Sequence, residues 1–142
     1  MSEATLAQLR ERLEREGLSC IAVKGERTLT STQRGIRPLL AWLEQGEDVS
    51  GGIAADRIVG KAAALLYALM NVRAVYAQVL SESGLAVLRE HGIHAEYGVL
   101  TERIINRAGT GLCPMEEAVL GISDPAAART ALEEQMRRLR AN

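Results

Sequence analysis

Asp56 and Cys113 each stand directly before an apolar run with the spacing of a helix. Asp56 precedes Arg57-Ile58-Val59-Gly60-Lys61-Ala62-Ala63-Ala64-Leu65-Leu66, and Cys113 precedes Pro114-Met115-Glu116-Glu117-Ala118-Val119-Leu120. A carboxylate or thiol in that place meets the positive end of a helix dipole and its free backbone N–H groups. If the fold brings the two starts together, Asp56, Cys113 and Glu116 line one pocket, which is how metal and nucleotide sites are commonly assembled. Asp56 would then act as a base or accept a ligand hydroxyl, and Cys113 would be a nucleophile favoured by its helix start. Glu116 and Glu117 oppose that, because nearby carboxylates favour the protonated thiol. A metal held by Asp56, Cys113 and Glu116 would mix hard oxygens with one soft sulfur, whereas structural zinc sites use Cys and His, so no metal is expected.

Lys61 lies inside the otherwise apolar run after Asp56. Its ammonium either snorkels to the surface or points at a ligand phosphate or at Asp56. The stretch Arg103-Ile104-Ile105-Asn106-Arg107-Ala108-Gly109-Thr110-Gly111 offers guanidinium groups and glycine-exposed amides close to the Cys113 start, the makings of an anion cradle. It is not a P-loop. Lys61, Arg107 and Glu116 are therefore the candidate ligand-binding residues beside Asp56 and Cys113. Each also has a plain structural reading. Asp56 as an N-cap would stabilise by about 1 kcal/mol, Glu116 and Glu117 would offset the dipole, and His91 and His94 read as solvated surface groups.

These residues must be positioned by the elements around them. Leu6, Leu9 and Leu13 mark a helix over residues 5–16, stopped by Gly17. Residues 18–24 and 27–32 read as a hairpin turning at Gly25-Glu26. Ile36, Leu39, Leu40 and Leu43 give a second helix that ends near Gly46. A short strand over 51–55 feeds a buried helix from Arg57 to about Met70, followed by a strand over 72–80, a helix over 81–91 and a strand over 93–100. A helix from Cys113 and a last one from Asp124 to about Leu139 finish the chain, the latter with Ala128, Leu132, Met136 and Leu139 on one face. The pattern predicts one α/β domain over residues 1–142, with about five strands and five helices.

The chain has 142 residues, 47% of them hydrophobic, which suits one core. It contains no Phe, one Trp and three Tyr, too few aromatic platforms for stacking bases of a nucleic-acid polymer. A formal net charge of −1 provides no field for collecting polymer phosphates, while a small anionic ligand remains compatible. Cys20 and Cys113 have no paired spacing, which fits a reducing compartment, so a cytoplasmic location is expected. No basic and apolar leader is read at the start. The longest apolar stretch, Ala62 to Met70, is about half of the ~20 residues a membrane span needs, so no membrane partner is expected.

The runs Ala55-Asp56-Arg57-Ile58-Val59-Gly60-Lys61-Ala62-Ala63-Ala64, Ile105-Asn106-Arg107 and Cys113-Pro114-Met115-Glu116 resemble an uncharacterised prokaryotic family with a cytidine deaminase-like fold, domain of unknown function 1893. The resemblance covers about residues 5 to 122 and implies a three-layer α/β/α fold with a mixed sheet of about five strands. In zinc deaminases the first helix begins with a metal-binding His or Cys, a proton-shuttling Glu follows two residues later, and the next helix carries two Cys ligands three apart. Carried over, these positions fall on Asp56, Ile58, and the pair Cys113 and Glu116. Ile58 cannot move a proton between water and a leaving amine, and Pro114 follows rather than precedes Cys113.

The resemblance thus implies a deaminase-like protein without the zinc chemistry, binding a nucleotide or nucleoside derivative at the paired helix starts and using no zinc or other cofactor. Two alternatives stand beside it. One is a metal-dependent hydrolase acting on a nucleobase-type substrate through water activated at Asp56, Cys113 and Glu116. The other is a non-enzymatic homo-oligomeric module, a homodimer joined by the aliphatic stripe of the last helix. Whether the protein is an enzyme is left open by its residues.

Overall fold

The computed structural model describes residues 4–141. Five strands, β1 (Cys20–Lys24), β2 (Arg27–Ser31), β3 (Ile53–Val59), β4 (Ala74–Ser81) and β5 (His94–Thr101), form one mixed sheet in the order β2-β1-β3-β4-β5. The hairpin strand β1 runs antiparallel to both β2 and β3, and β3, β4 and β5 are parallel. Among the described residues six helices accompany them, against a predicted total of about five: α1 (Leu6–Arg15), α2 (Arg37–Glu44), α3 (Lys61–Leu69), α4 (Glu82–Glu90), α5 (Pro114–Ala118) and α6 (Pro125–Ala141). The α/β class and the mixed five-stranded sheet agree with the sequence reading.

One boundary differs in a way that matters for function. The helix expected from Arg57 begins only at Lys61, and Asp56 to Val59 continue β3. Asp56, Ile58 and Val59 pair with Ala77, Val79 and Leu80 of β4, so the parallel ladder outcompetes the local capping signal, and the β-branched pair Ile58-Val59 suits the extended state. Asp56 is therefore not at a helix start. Gly60 holds the N-cap position of α3 with extended backbone and no side chain to cap with.

Helix α1 covers one face of the sheet, placing Leu6, Leu9 and Leu13 against Ile21, Val23, Ile53, Ala55, Ala74 and Tyr76. On the other face α3 lies in the main core, with α4 beside it and α5 and α6 over it. Ala62 to Ala68 are all buried, which explains why α3 is apolar on every side instead of amphipathic. The stripe of α6 proposed as a subunit seam is used within the fold. Ala128, Leu132 and Met136 join the main core, and only Leu139 stays exposed. Among the described residues no helix is long and apolar enough to cross a membrane.

Leu132 is fully buried where α6 meets the core, so Leu132→Ala should lower the unfolding free energy by about 2–5 kcal/mol in urea titration. Leu139→Ala, two turns further along the same face but exposed, should change it by no more than about 0.5 kcal/mol.

Candidate functional site

Asp56 sits in the middle of β3, with Cys20 of β1 and Ala77 of β4 as its ladder partners. It is only 6% exposed. Tyr67 donates its phenol to Asp56 Oδ2 at 2.7 Å, and the Ile58 amide makes a long 3.4 Å approach to Oδ1. Burial pushes the carboxyl up to about 7, against the opposing effect of those hydrogen bonds. Burial and the neighbouring Asp56 charge also raise the Cys20 thiol and the Tyr67 phenol. Asp56 is thus a core acid held by a phenol.

Tyr67 is the partner of Asp56 that sequence reasoning passed over. The signal was a single phenol inside the Ala- and Leu-rich run of α3, since a buried tyrosine hydroxyl needs a partner. Arg57, the next residue along β3, donates to the carbonyls of Leu18 (Nε, 2.8 Å) and Leu13 (Nη2, 2.7 Å), tying β3 to the end of α1. Lys61 does not reach Asp56. Its ammonium donates to the carbonyl of Leu120 at 3.2 Å, so the side chain bridges the start of α3 to the end of α5.

The expected meeting of helix starts does occur, with a different partner. Glu116 is buried and accepts the backbone N–H of Lys61 on Oε1 and that of Ala62 on Oε2, both at 2.8 Å. The carboxylate therefore caps α3 from across the fold, where Gly60 offers no side chain. Gly60 must stay small, because a Cβ there would collide with Glu116 Oε1 and lie 2.6 Å from its Cδ. A Cβ on Gly84, in the first turn of α4, would come within 3.1 Å of the Gly60 carbonyl. Ser81 caps α4 by accepting the Gly84 amide at 3.0 Å. The starts of α3, α4 and α5 thus converge at the carboxyl ends of β3 and β4, the edge where open α/β sheets take ligands.

Cys113 occupies the N-cap position of α5 and is partly exposed, its thiol capping nothing. Its amide donates to Ile104 at 3.0 Å. Arg107 is exposed in a small turn that Asn106 stabilises by accepting the Thr110 amide at 3.1 Å, next to the bridge between Ile105 and Leu112. Arg103 pairs with its neighbour Glu102. The fold therefore joins Lys61 and Glu116 at the start of α3, leaves Cys113 at the start of α5, and places Asp56 earlier on β3. Among the described residues Asp56, Cys113 and Glu116 do not form a three-ligand group.

Residues 8–136 match the family described as TM1506, a domain of unknown function (DUF1893). The chain belongs to the DUF1893 family. A solved DUF1893 protein (TM1506) from Thermotoga maritima is 26% identical, with 95% of this chain and 92% of that chain covered and a TM-score of 0.83. No curated protein matches. The DUF1893 assignment carries no activity with it, so the chemistry must be argued from the residues themselves.

If Glu116 caps α3, Glu116→Ala should cost about 2–4 kcal/mol of stability, since one buried and one partly buried amide lose their acceptor. Gly60→Ala should be destabilising alone and clearly less so in the Glu116→Ala background. A double-mutant cycle by urea denaturation checks this, with a coupling above about 0.5 kcal/mol expected.

Proposed function

We propose that this DUF1893 chain binds a nucleotide or nucleoside derivative at the carboxyl ends of β3 and β4, on a cytidine deaminase-like framework that does not carry out zinc deamination. The observation that carries the reading is the convergence of three helix starts at that edge, with Glu116 lying across the Lys61 and Ala62 amides. On the deaminase pattern the first helix opens with a metal ligand and places the proton shuttle two residues later. With α3 beginning at Lys61, those places fall on Gly60 and Ala62. Neither the Asp56 and Ile58 register nor this one contains the required Glu.

Because Glu116 already fills the anion position of α3, a ligand phosphate belongs nearer the cations Lys61 and Arg107. The uncharged part of the ligand then meets apolar surface. Ile58, 53% exposed, lies in one ladder row with Val79 and Val99, the last 59% exposed. Cys113 is the accessible thiol of this region, and Asp56 is the buried acid upstream. A metal-activated hydrolase is less well supported, since Asp56 is engaged by Tyr67 and Glu116 by backbone amides.

A second reading, a homo-oligomeric module, is favoured by β5. No residue of this edge strand is buried, and Tyr97, Val99 and Leu100 are exposed. The seam would then be β5 and not α6. Cys20 and Cys113 are both unlinked, in keeping with a cytoplasmic setting.

A thermal-shift panel of nucleosides, mononucleotides and dinucleotides at millimolar concentration tests the ligand reading. At a hundred times its dissociation constant a ligand adds about 2.7 kcal/mol of stability, so at least one compound should raise Tm by several degrees. Lys61→Ala and Arg107→Ala should weaken the response to phosphate-bearing compounds only. No response from any member of the panel overturns the proposal.

A further inference from the structure

β5 is the last strand of the sheet and pairs only with β4, so its outer edge carries unpaired backbone N–H and C=O groups. Among the described residues no backbone hydrogen bond reaches that edge from a loop or a helix. None of its eight residues is buried, and Tyr97 (41% exposed), Val99 (59%) and Leu100 (40%) lie together in its second half. It has neither Lys nor Pro, the residues that commonly keep an edge strand from pairing. The opposite edge of the sheet is built otherwise. β2 has five residues, exposes Arg27, Thr28 and Thr30, and buries its one large apolar side chain, Leu29. A long apolar edge is a template for another strand, whereas a short polar one resists pairing.

The pattern of β5 selects which strand that is. Its apolar segment, Tyr97 to Leu100, is centred between Gly98 and Val99, with Glu96 just before it and Arg103 soon after it. A twofold axis beside that centre sets a second β5 antiparallel to the first. Tyr97 of each copy then faces Leu100 of the other, an aromatic against an aliphatic side chain, and the Glu96 end of each strand lies toward the Arg103 end of the other. One patch serves both copies, so the contact closes after two. The polar β2 edges are left at the outer margins, where they invite no third copy.

We propose that two copies of this chain join β5 to β5, antiparallel about a twofold beside Gly98 and Val99, making one continuous sheet out of two five-stranded ones. This rests on the homo-oligomeric reading and supplies its partner, seam and register. It asks nothing of the nucleotide reading.

Sedimentation equilibrium on the full chain should give twice the mass of one copy, with no larger species. Val99→Lys sets an ammonium of each copy beside the axis and Leu100→Lys sets one against Tyr97, so either should raise the dissociation constant by about tenfold or more. Leu139→Lys, a comparably exposed position on α6, should leave it unchanged. Arg103→Glu should weaken the dimer by about three- to tenfold, and adding Glu96→Arg to the same chain should restore it. By hydrogen exchange the β5 amides should be at least about tenfold slower in the dimer than in monomeric Val99→Lys, with the β2 amides alike in both. Should a variant fail to fold, dilution of the unaltered chain gives the same comparison.

A chain that keeps the mass of one copy up to about 1 mM overturns the seam and the homo-oligomeric reading together. A dimer that survives both lysine variants, or whose β5 amides exchange no more slowly than in the dissociated chain, overturns the seam alone and leaves that reading standing. Indifference to Arg103→Glu, or no recovery with Glu96→Arg, overturns the antiparallel register. Assemblies that grow beyond two copies overturn the proposal as well, because the twofold closes.

Discussion

A helix with no wet face must find acceptors for its first amides inside the protein, and α3 is such a helix. Its body is buried from Ala62 to Ala68, and at its start, where Lys61 is partly buried, the free N–H groups of Lys61 and Ala62 bond to a carboxylate instead of water. Glu116 meets that demand from fifty-odd residues away. The rest of this end of the sheet follows from it. The short α5 must lie close enough to deliver a carboxylate, Gly60 must be bare to admit it, and Lys61 then ties the far end of α5 through the Leu120 carbonyl. Gln135 of α6 holds the near end by donating to the Pro114 carbonyl at 3.2 Å.

The same helix is held lower down by a different kind of contact. Tyr67 meets Asp56 in the plane where α3 crosses β3, and both groups are shifted by their shared burial. One anchor is the Glu116 side chain spread over two backbone amides, and the other is the Asp56 carboxyl accepting from one phenol. Burial raises the Asp56 carboxyl while the Tyr67 hydrogen bond opposes that shift.

Much of this was readable from local pattern. The hairpin, the alternation of strands and helices, the helix start at Cys113 and the Asp124 cap, which accepts the Ala127 amide at 2.9 Å, all depend on residues within a few positions of one another. What escaped depends on tertiary pairing. Asp-Arg-Ile-Val can open a helix or extend a strand, and only the ladder to β4 decides between them. The destinations of Lys61, Glu116 and Tyr67 are set by how α3 docks, which no short-range spacing encodes. The convergence of two helix starts was legible because Cys113 and Glu116 mark one of them; the other was misplaced by four residues because Gly60 caps without a side chain.

The missing side chain at Gly60 also constrains how this protein can change. Positions 60 and 116 share one small volume, and Glu116 now fills it. A larger residue at 60 becomes tolerable only after 116 has shrunk, while shrinking 116 first leaves the Lys61 and Ala62 amides without their acceptor. Each single step passes through a weakened protein. Lineages bearing this pairing are therefore confined to it unless both positions change together, which makes the present occupant of that space hard to replace by any other.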